Sequence, residues 1–398
     1  KYFRLISCKL AVKRSTSQPL TFSSKTGESS RWVTSSVLAT GHWVKIGVSQ
    51  EGIYSLTATQ LRSMGFQDIS RVRLYGYGGR IQPESWTFSG KDRIPDDLNE
   101  VPVYRRNNDI LFFAEGTIRW SWDNLRQVWT HENQPYSRYS YYFLTESEKE
   151  EPAALIKLKA QLPSAQQIST IKAHAVIDDD AMSFYSGGRE MYESYDFSYG
   201  NSRTYRLETP NAENPQTAKL SVSLAASNPA SSTAVEVSLN NNNLGQFYIT
   251  NYGSDEIARE RRTTYNTTAL SESNSILIRT SQRVPAHLNY IRVTYEKTLS
   301  ASETGVSFTP NIVGPTTLNI ANATNSTELW QIGTADTPTC VIESELINST
   351  LQARVDDATQ RFVIVDTSKQ YPAPTIFNEI DNQNLHADPA ADMVIIIP

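Results

Sequence analysis

The stretch AVEVSLNNNNLGQFYI, residues 234 to 249, decides the fold class. Val235, Val237 and Leu239 alternate with Glu236 and Ser238, a period of two that turns one face toward a core and the other toward solvent. The asparagines from Asn240 to Asn243 break the pattern as a loop tip. The same alternation recurs in LSVSLAAS (220–227), SILIRTS (275–281) and YIRVTYEK (290–297), with Asn, Ser and Gly turns between. Short alternating strands at this spacing predict a β-sandwich or jelly roll, placed at residues 165–300.

Upstream, residues 36–160 predict a first β-rich domain. HWVKIGVSQEGIYSLT (42–57) predicts two facing strands around a Gln50-Glu51-Gly52 turn. The one short helix starts after Thr57, a suitable N-cap, and stops at Gly65. VRLYGYGG (72–79), NDILFFAEG (108–116) and YSYYFLTE (139–146) supply further strands. The charge run from Glu146 to Pro163 reads as a connector with short strand character. Residues 301–385, with TLNIAN, LWQIG, CVIESE, QARVD and RFVIVD, predict a small β unit or the completing strands of the sandwich before it. Residues 1–35 read as an N-terminal strand followed by a Ser/Thr-rich loop.

Composition narrows the function classes. The chain has 398 residues, 20 Tyr, 7 Trp and a formal charge of −5. No Lys/Arg-rich face marks a nucleic-acid partner. No apolar run approaches the roughly 20 residues of a membrane helix. Arg4, Lys9, Lys13 and Arg14 interrupt any signal-peptide core, and Leu5-Ile6-Ser7-Cys8 matches a lipoprotein box only loosely. Cys8 and Cys340 are far apart in sequence, so one long-loop disulfide and two free thiols are both open.

No constellation reads as an active site. Cys340 and His386 are the only Cys-His pair near each other in sequence, but Cys340 lies within the strand-like TCVIESE and His386 in a loop. Asp178-Asp179-Asp180 lacks the spaced ligands of a calcium loop and reads as a solvated turn. Tyr75 to Gly79 lacks the GxGxxG spacing and reads as a tight turn. Trp120, Trp122 and Trp129 are a candidate sugar-stacking platform whose commoner use is packing. The five histidines and two cysteines show no zinc spacing, so no catalytic, cofactor-binding or metal-ligating residue is assigned.

Several ordered blocks nevertheless resemble the N-terminal portion of one family. HWVKIGVSQEGIYSLT, LYGYGGRIQPE (74–84), DDLNEVPVY (96–104), NDILFFAEGTIRW (108–120), HENQPYSRYSYYFLT (131–145), SGGREMYESY (186–195), LWQIG (329–333) and NQNLHADPAADMVIIIP (382–398) are similar to the PorU-type sortases. These are the C-terminal-signal peptidases of the type IX secretion system. Met191 departs from the aromatic residue of that pattern. The resemblance implies β-rich domains preceding a gingipain-type, caspase-like α/β cysteine peptidase domain. Residues 386–398 would be the start of that domain, and the aliphatic run Val394 to Ile397 its first strand, covered on both faces.

The catalytic His and Cys would then lie beyond Pro398. The implied parent removes C-terminal sorting domains from secreted cargo and attaches that cargo to anionic lipopolysaccharide on the surface of a Gram-negative cell. The implied partners are the outer-membrane barrel PorV, with PorQ and PorZ. Calcium, where used, is implied for the peptidase domain. The alternative of a different class is a surface adhesin or glycan-binding module using the three tryptophans.

Overall fold

The computed structural model describes residues 33–79, 81, 95–147, 151–164, 166–184, 190–213, 217–228, 230–334 and 337–389. The N-terminal strand, Cys8 and the run Val394 to Ile397 lie outside these residues. The fold is mainly β, built from several antiparallel sheets, as the alternation predicts.

The stretch from Ala234 to Ile249 forms a hairpin, with strand Thr233–Leu239 paired to Asn242–Ile249. Asn240 and Asn241 turn the chain at φ of 49° and 66°. Two consecutive left-handed residues give the turn twist that matches paired strands, and Asn tolerates them. This hairpin completes a sheet ordered Ser202–Glu208, Ser273–Thr280, Thr233–Leu239, Asn242–Ile249. Facing it is a sheet ordered Thr170–Asp178, Ala286–Thr298, Ala218–Ala226, Arg259–Thr267. Leu220, Val222, Leu224, Ile291 and Val293 from one sheet meet Val235, Val237, Leu239, Ile276 and Ile278 from the other. Each such side chain contributes about 1.5–3 kcal/mol on burial.

Four of the other five sheets stack as layers. The first is ordered Thr375–Ile380, Trp43–Val48, Ser140–Glu146, Val72–Tyr75, Glu100–Val101. The second comprises Gly52–Leu56, Asp109–Ala114 and Tyr104–Arg106. The third is ordered Ile156–Leu158, Cys340–Ile342, Thr327–Gln331, Phe362–Asp366, Ser307–Phe308, and the fourth Gln166–Ile168, Thr316–Ile320, Thr350–Val355, Ser344–Ile347.

Alternate residues of single strands serve different interfaces. Ile110 and Phe112 face the first layer, while Leu111 and Phe113 face the third. Val363 and Val365 meet the second layer, while Phe362 and Ile364 meet the fourth. Residues 301–385 thus share their sheets with strands from the connector after residue 150 and return Thr375–Ile380 to the first layer.

The predicted helix spans Ala58–Ser63, and Thr57 and Gln60 cap it reciprocally. The expected hairpin around Gly52 is a correction. Trp43–Val48 and Gly52–Leu56 belong to different sheets, so the turn carries the chain from the first layer to the second. Gly52 is required there because a Cβ would come within 2.7 Å of the Gly305 carbonyl oxygen, which accepts from the Ile53 amide at 3.1 Å.

Candidate functional site: a polar seam beneath the tryptophan hairpin

Strands Ile118–Asp123 and Val128–Asn133 form a separate hairpin, with Trp120 opposite His131 and Trp122 opposite Trp129. The hairpin lies across the outer face of the sandwich sheet at Thr170–Asp178 and Ala286–Thr298. Trp129 donates its amide to Thr294 Oγ1 at 2.9 Å and its indole Nε1–H to the Lys172 carbonyl at 2.7 Å. Trp120 stacks on the His174 ring with centroids 3.6 Å apart, and Trp129 meets that ring edge-on at 5.2 Å. Trp129 is buried and Trp120 and Trp122 are half-buried. Two of the three candidate platform residues are therefore spent on joining the hairpin to the sandwich.

Polar groups fill the seam. Arg292 Nη1 donates to His131 Nδ1 at 2.8 Å. A guanidinium only donates, so Nδ1 carries the lone pair and Nε2–H donates to Asp178 Oδ2 at 2.7 Å. The His131 and Asp178 side chains are 3% and 6% exposed. Asn133 Nδ2 donates to Asp180 at 2.9 Å. Burial, reinforced by the adjacent Asp178 carboxylate, raises the pKa of Asp180. The expected solvated turn at Asp178 to Asp180 is thus corrected at Asp178, whose carboxylate is a buried partner of His131.

His174 sits deeper along the same seam. Its pKa is lowered to about 3, first by burial and then by Lys297, His131 and Arg292. A cavity of about 220 Å³ opens beside it, lined by Trp129, Tyr295, Lys297, Thr298 and Glu303 among others. The cavity lies where the hairpin, the sandwich and the third layer meet.

None of this forms a catalytic triad. Both His131 nitrogens are engaged, by Asp178 and Arg292, which leaves no lone pair for a nucleophile. Cys340 is a buried strand residue, and burial pushes its thiol pKa up, away from the reactive thiolate. His386 lies in the short turn Leu385–Ala387 after the first-layer strand, with Nδ1 4.0 Å from Asp96. The second layer separates it from Cys340, so the sequence-adjacent pair is not brought together. Among the described residues no three His, Cys, Asp or Glu side chains converge to hold a metal ion. The expected tight turn is not formed at Gly76 to Gly79, which continue irregularly after strand Val72–Tyr75, with Gly76 and Gly78 at φ of 149° and 94°.

Sequence reading missed the seam. Arg292 and Thr294 alternate with Ile291 and Val293, which is the signature of a solvated strand face. Only the run of ten buried residues at the start of Ala286–Thr298 reveals that something covers that face.

No protein-family model and no curated protein matches the chain. Among solved structures it is similar to dimeric latent PorU from Porphyromonas gingivalis, at 23% identity and a TM-score of 0.77, covering 90% of this chain and 35% of that one. The chain therefore spans about a third of that protein's length, and over nine-tenths of its own length its fold is PorU-like. A family 35 carbohydrate binding module from Clostridium thermocellum also matches, at 15% identity and a TM-score of 0.19, over 31% of this chain and 90% of that one. A likeness that low carries no argument.

Proposed function

We propose that this chain is the non-catalytic N-terminal region of a type IX secretion sortase, a platform that positions a gingipain-type cysteine peptidase domain. The observation that carries the reading is the PorU-like fold, which extends over 90% of the chain, sandwich and layered stack together. The ordered sequence blocks support it independently, and so does the inert setting of Cys340 and His386. On this reading the parent cleaves C-terminal sorting domains from cargo and transfers that cargo to anionic lipopolysaccharide. It works at the cell surface of a Gram-negative bacterium, docked on the barrel PorV with PorQ and PorZ. Any calcium requirement is assigned to the peptidase domain. The glycan-binding alternative loses its support where Trp120 and Trp129 are spent in the seam.

The test combines activity and labelling. Purified residues 1–398 are expected to leave a cargo protein bearing a sorting domain intact and to take up no thiol-directed peptidase probe at Cys340. Cleavage or labelling that disappears in Cys340→Ser or in His386→Ala would overturn the reading.

A further inference from the structure

We propose that Lys297 and Asn211 are the reactants of an intramolecular isopeptide bond, an amide between the lysine amine and the asparagine side chain that staples the sandwich where it joins the layered stack. The two reactants meet on one oxygen. Glu303 Oε2 lies 2.5 Å from Lys297 Nζ and accepts from Asn211 Nδ2 at 3.3 Å. The amide is polarised from its other end, because Ser302 Oγ donates to Asn211 Oδ1 at 3.3 Å. A nucleophile, a proton carrier, an electrophilic carbonyl and a donor to the oxygen that gains charge are thus gathered in one place. They come from three segments: the end of strand Ala286–Thr298, the connection after it and the residue before strand Ala212–Glu213.

The backbone holds the reactants in this arrangement. Ala212 pairs directly with Lys297. The Thr298 amide donates to the Asn211 carbonyl at 3.1 Å, and the Asn211 amide donates to Glu272 at 3.3 Å. With both ends of its side chain bonded as well, Asn211 is fixed before any reaction starts, which removes most of the entropic cost of bringing the groups together. The Lys297 and Glu303 side chains are only 14% and 22% exposed, and Tyr295 is buried two residues earlier on the same strand face. Restricting water in this way favours attack by the amine over hydrolysis of the amide. The chemistry balances without a further reagent. Glu303 takes a proton from the Lys297 ammonium, and the neutral amine attacks Asn211 Cγ. Charge gathers on Oδ1, where Ser302 donates. Glu303 passes its proton to Nδ2, the Cγ–Nδ2 bond breaks and ammonia is released. The surplus proton on the new amide nitrogen then moves through Glu303 to the ammonia, which departs as ammonium along the cavity that Lys297 and Glu303 line.

The experiment is intact-mass spectrometry of the purified chain, followed by tryptic mapping. The expected mass is one ammonia below that of the sequence, with a branched peptide joining the segments around Asn211 and Lys297. Lys297→Arg keeps the charge and Glu303→Gln keeps the shape, and each should restore the full sequence mass. The unaltered chain decides the matter even where a variant fails to fold, since its appearance at full sequence mass would overturn the proposal. A loss of ammonia that persists in Lys297→Arg would overturn it too, because cyclisation of Asn211 onto its own backbone also expels ammonia and needs no lysine.

Discussion

Acid should loosen the seam through His174, and the size of the effect follows from its surroundings. Its pKa is lowered from 6.5 to about 3 in the folded chain, first by burial and then by the neighbouring Lys297, His131 and Arg292. Between those two values the unfolded chain binds a proton that the folded chain refuses. Stability contributed by the uncharged ring is thus complete above pH 6.5 and is lost as pH falls toward 3. Each pH unit in that window is worth at most about 1.4 kcal/mol, or about 2 kcal/mol by pH 5. Because His174 keeps some accessible surface, solvent screening brings the expected loss to about 1–2 kcal/mol. His174→Phe retains an aromatic partner for Trp120 and removes the titration. Urea unfolding followed by tryptophan fluorescence at pH 7.5 and pH 5.0 should show the parent losing that much more stability than the variant. Equal losses in the two proteins would refute the assignment. Asp180, whose pKa burial raises, also lies in the seam, but it remains in both proteins and cancels in the comparison.

Two further perturbations test the joints between layers. Arg361 pairs with both Glu51 and Glu115, tying the third layer to the turns that border the second. Arg361→Met strands two part-buried carboxylates and should cost about 3–5 kcal/mol in chemical denaturation, most of it recovered when Glu51→Gln and Glu115→Gln are added. Trp129→Ala should cost about 3–5 kcal/mol because it empties the hairpin interface, whereas the half-buried Trp122→Ala should cost clearly less, as differential scanning calorimetry can show.

The sandwich was legible because each of its strands has one core-facing side. Val235, Val237 and Leu239 announce their face by alternation, and Asn240 and Asn241 announce the turn. The layered stack was harder to read. Phe362 to Val365 and Ile110 to Ala114 are apolar without alternation because a sheet lies on either side of each. An uninterrupted aliphatic run therefore marks a doubly covered strand and does not by itself specify a parallel sheet. Long-range pairing is equally silent in sequence. Nothing local to Thr375–Ile380 shows that it joins Trp43–Val48, more than 300 positions earlier. Gly52 was identified as a turn residue, but what makes glycine necessary is the approach of Gly305 from a distant segment.

The seam was illegible for a different reason, and that reason bears on what the chain does. Its residues are those of an exposed strand face, and they become buried only because the hairpin is laid over them. Burying His131, Asp178 and Arg292 adds little stability over an apolar contact of equal size, since desolvation offsets much of the pairing. What such a network supplies is a single allowed geometry. His131 can satisfy Asp178 and Arg292 together only in one ring orientation, and Asn133 reaches Asp180 only when the hairpin sits in the same register. Sliding the hairpin by one residue would expose Trp129 and break all three hydrogen bonds, because the side-chain period of a strand is two. The layered stack and the sandwich are thereby held at one relative orientation. On the function proposed above, that is the property a platform must have if it is to present a separate catalytic domain at a fixed position.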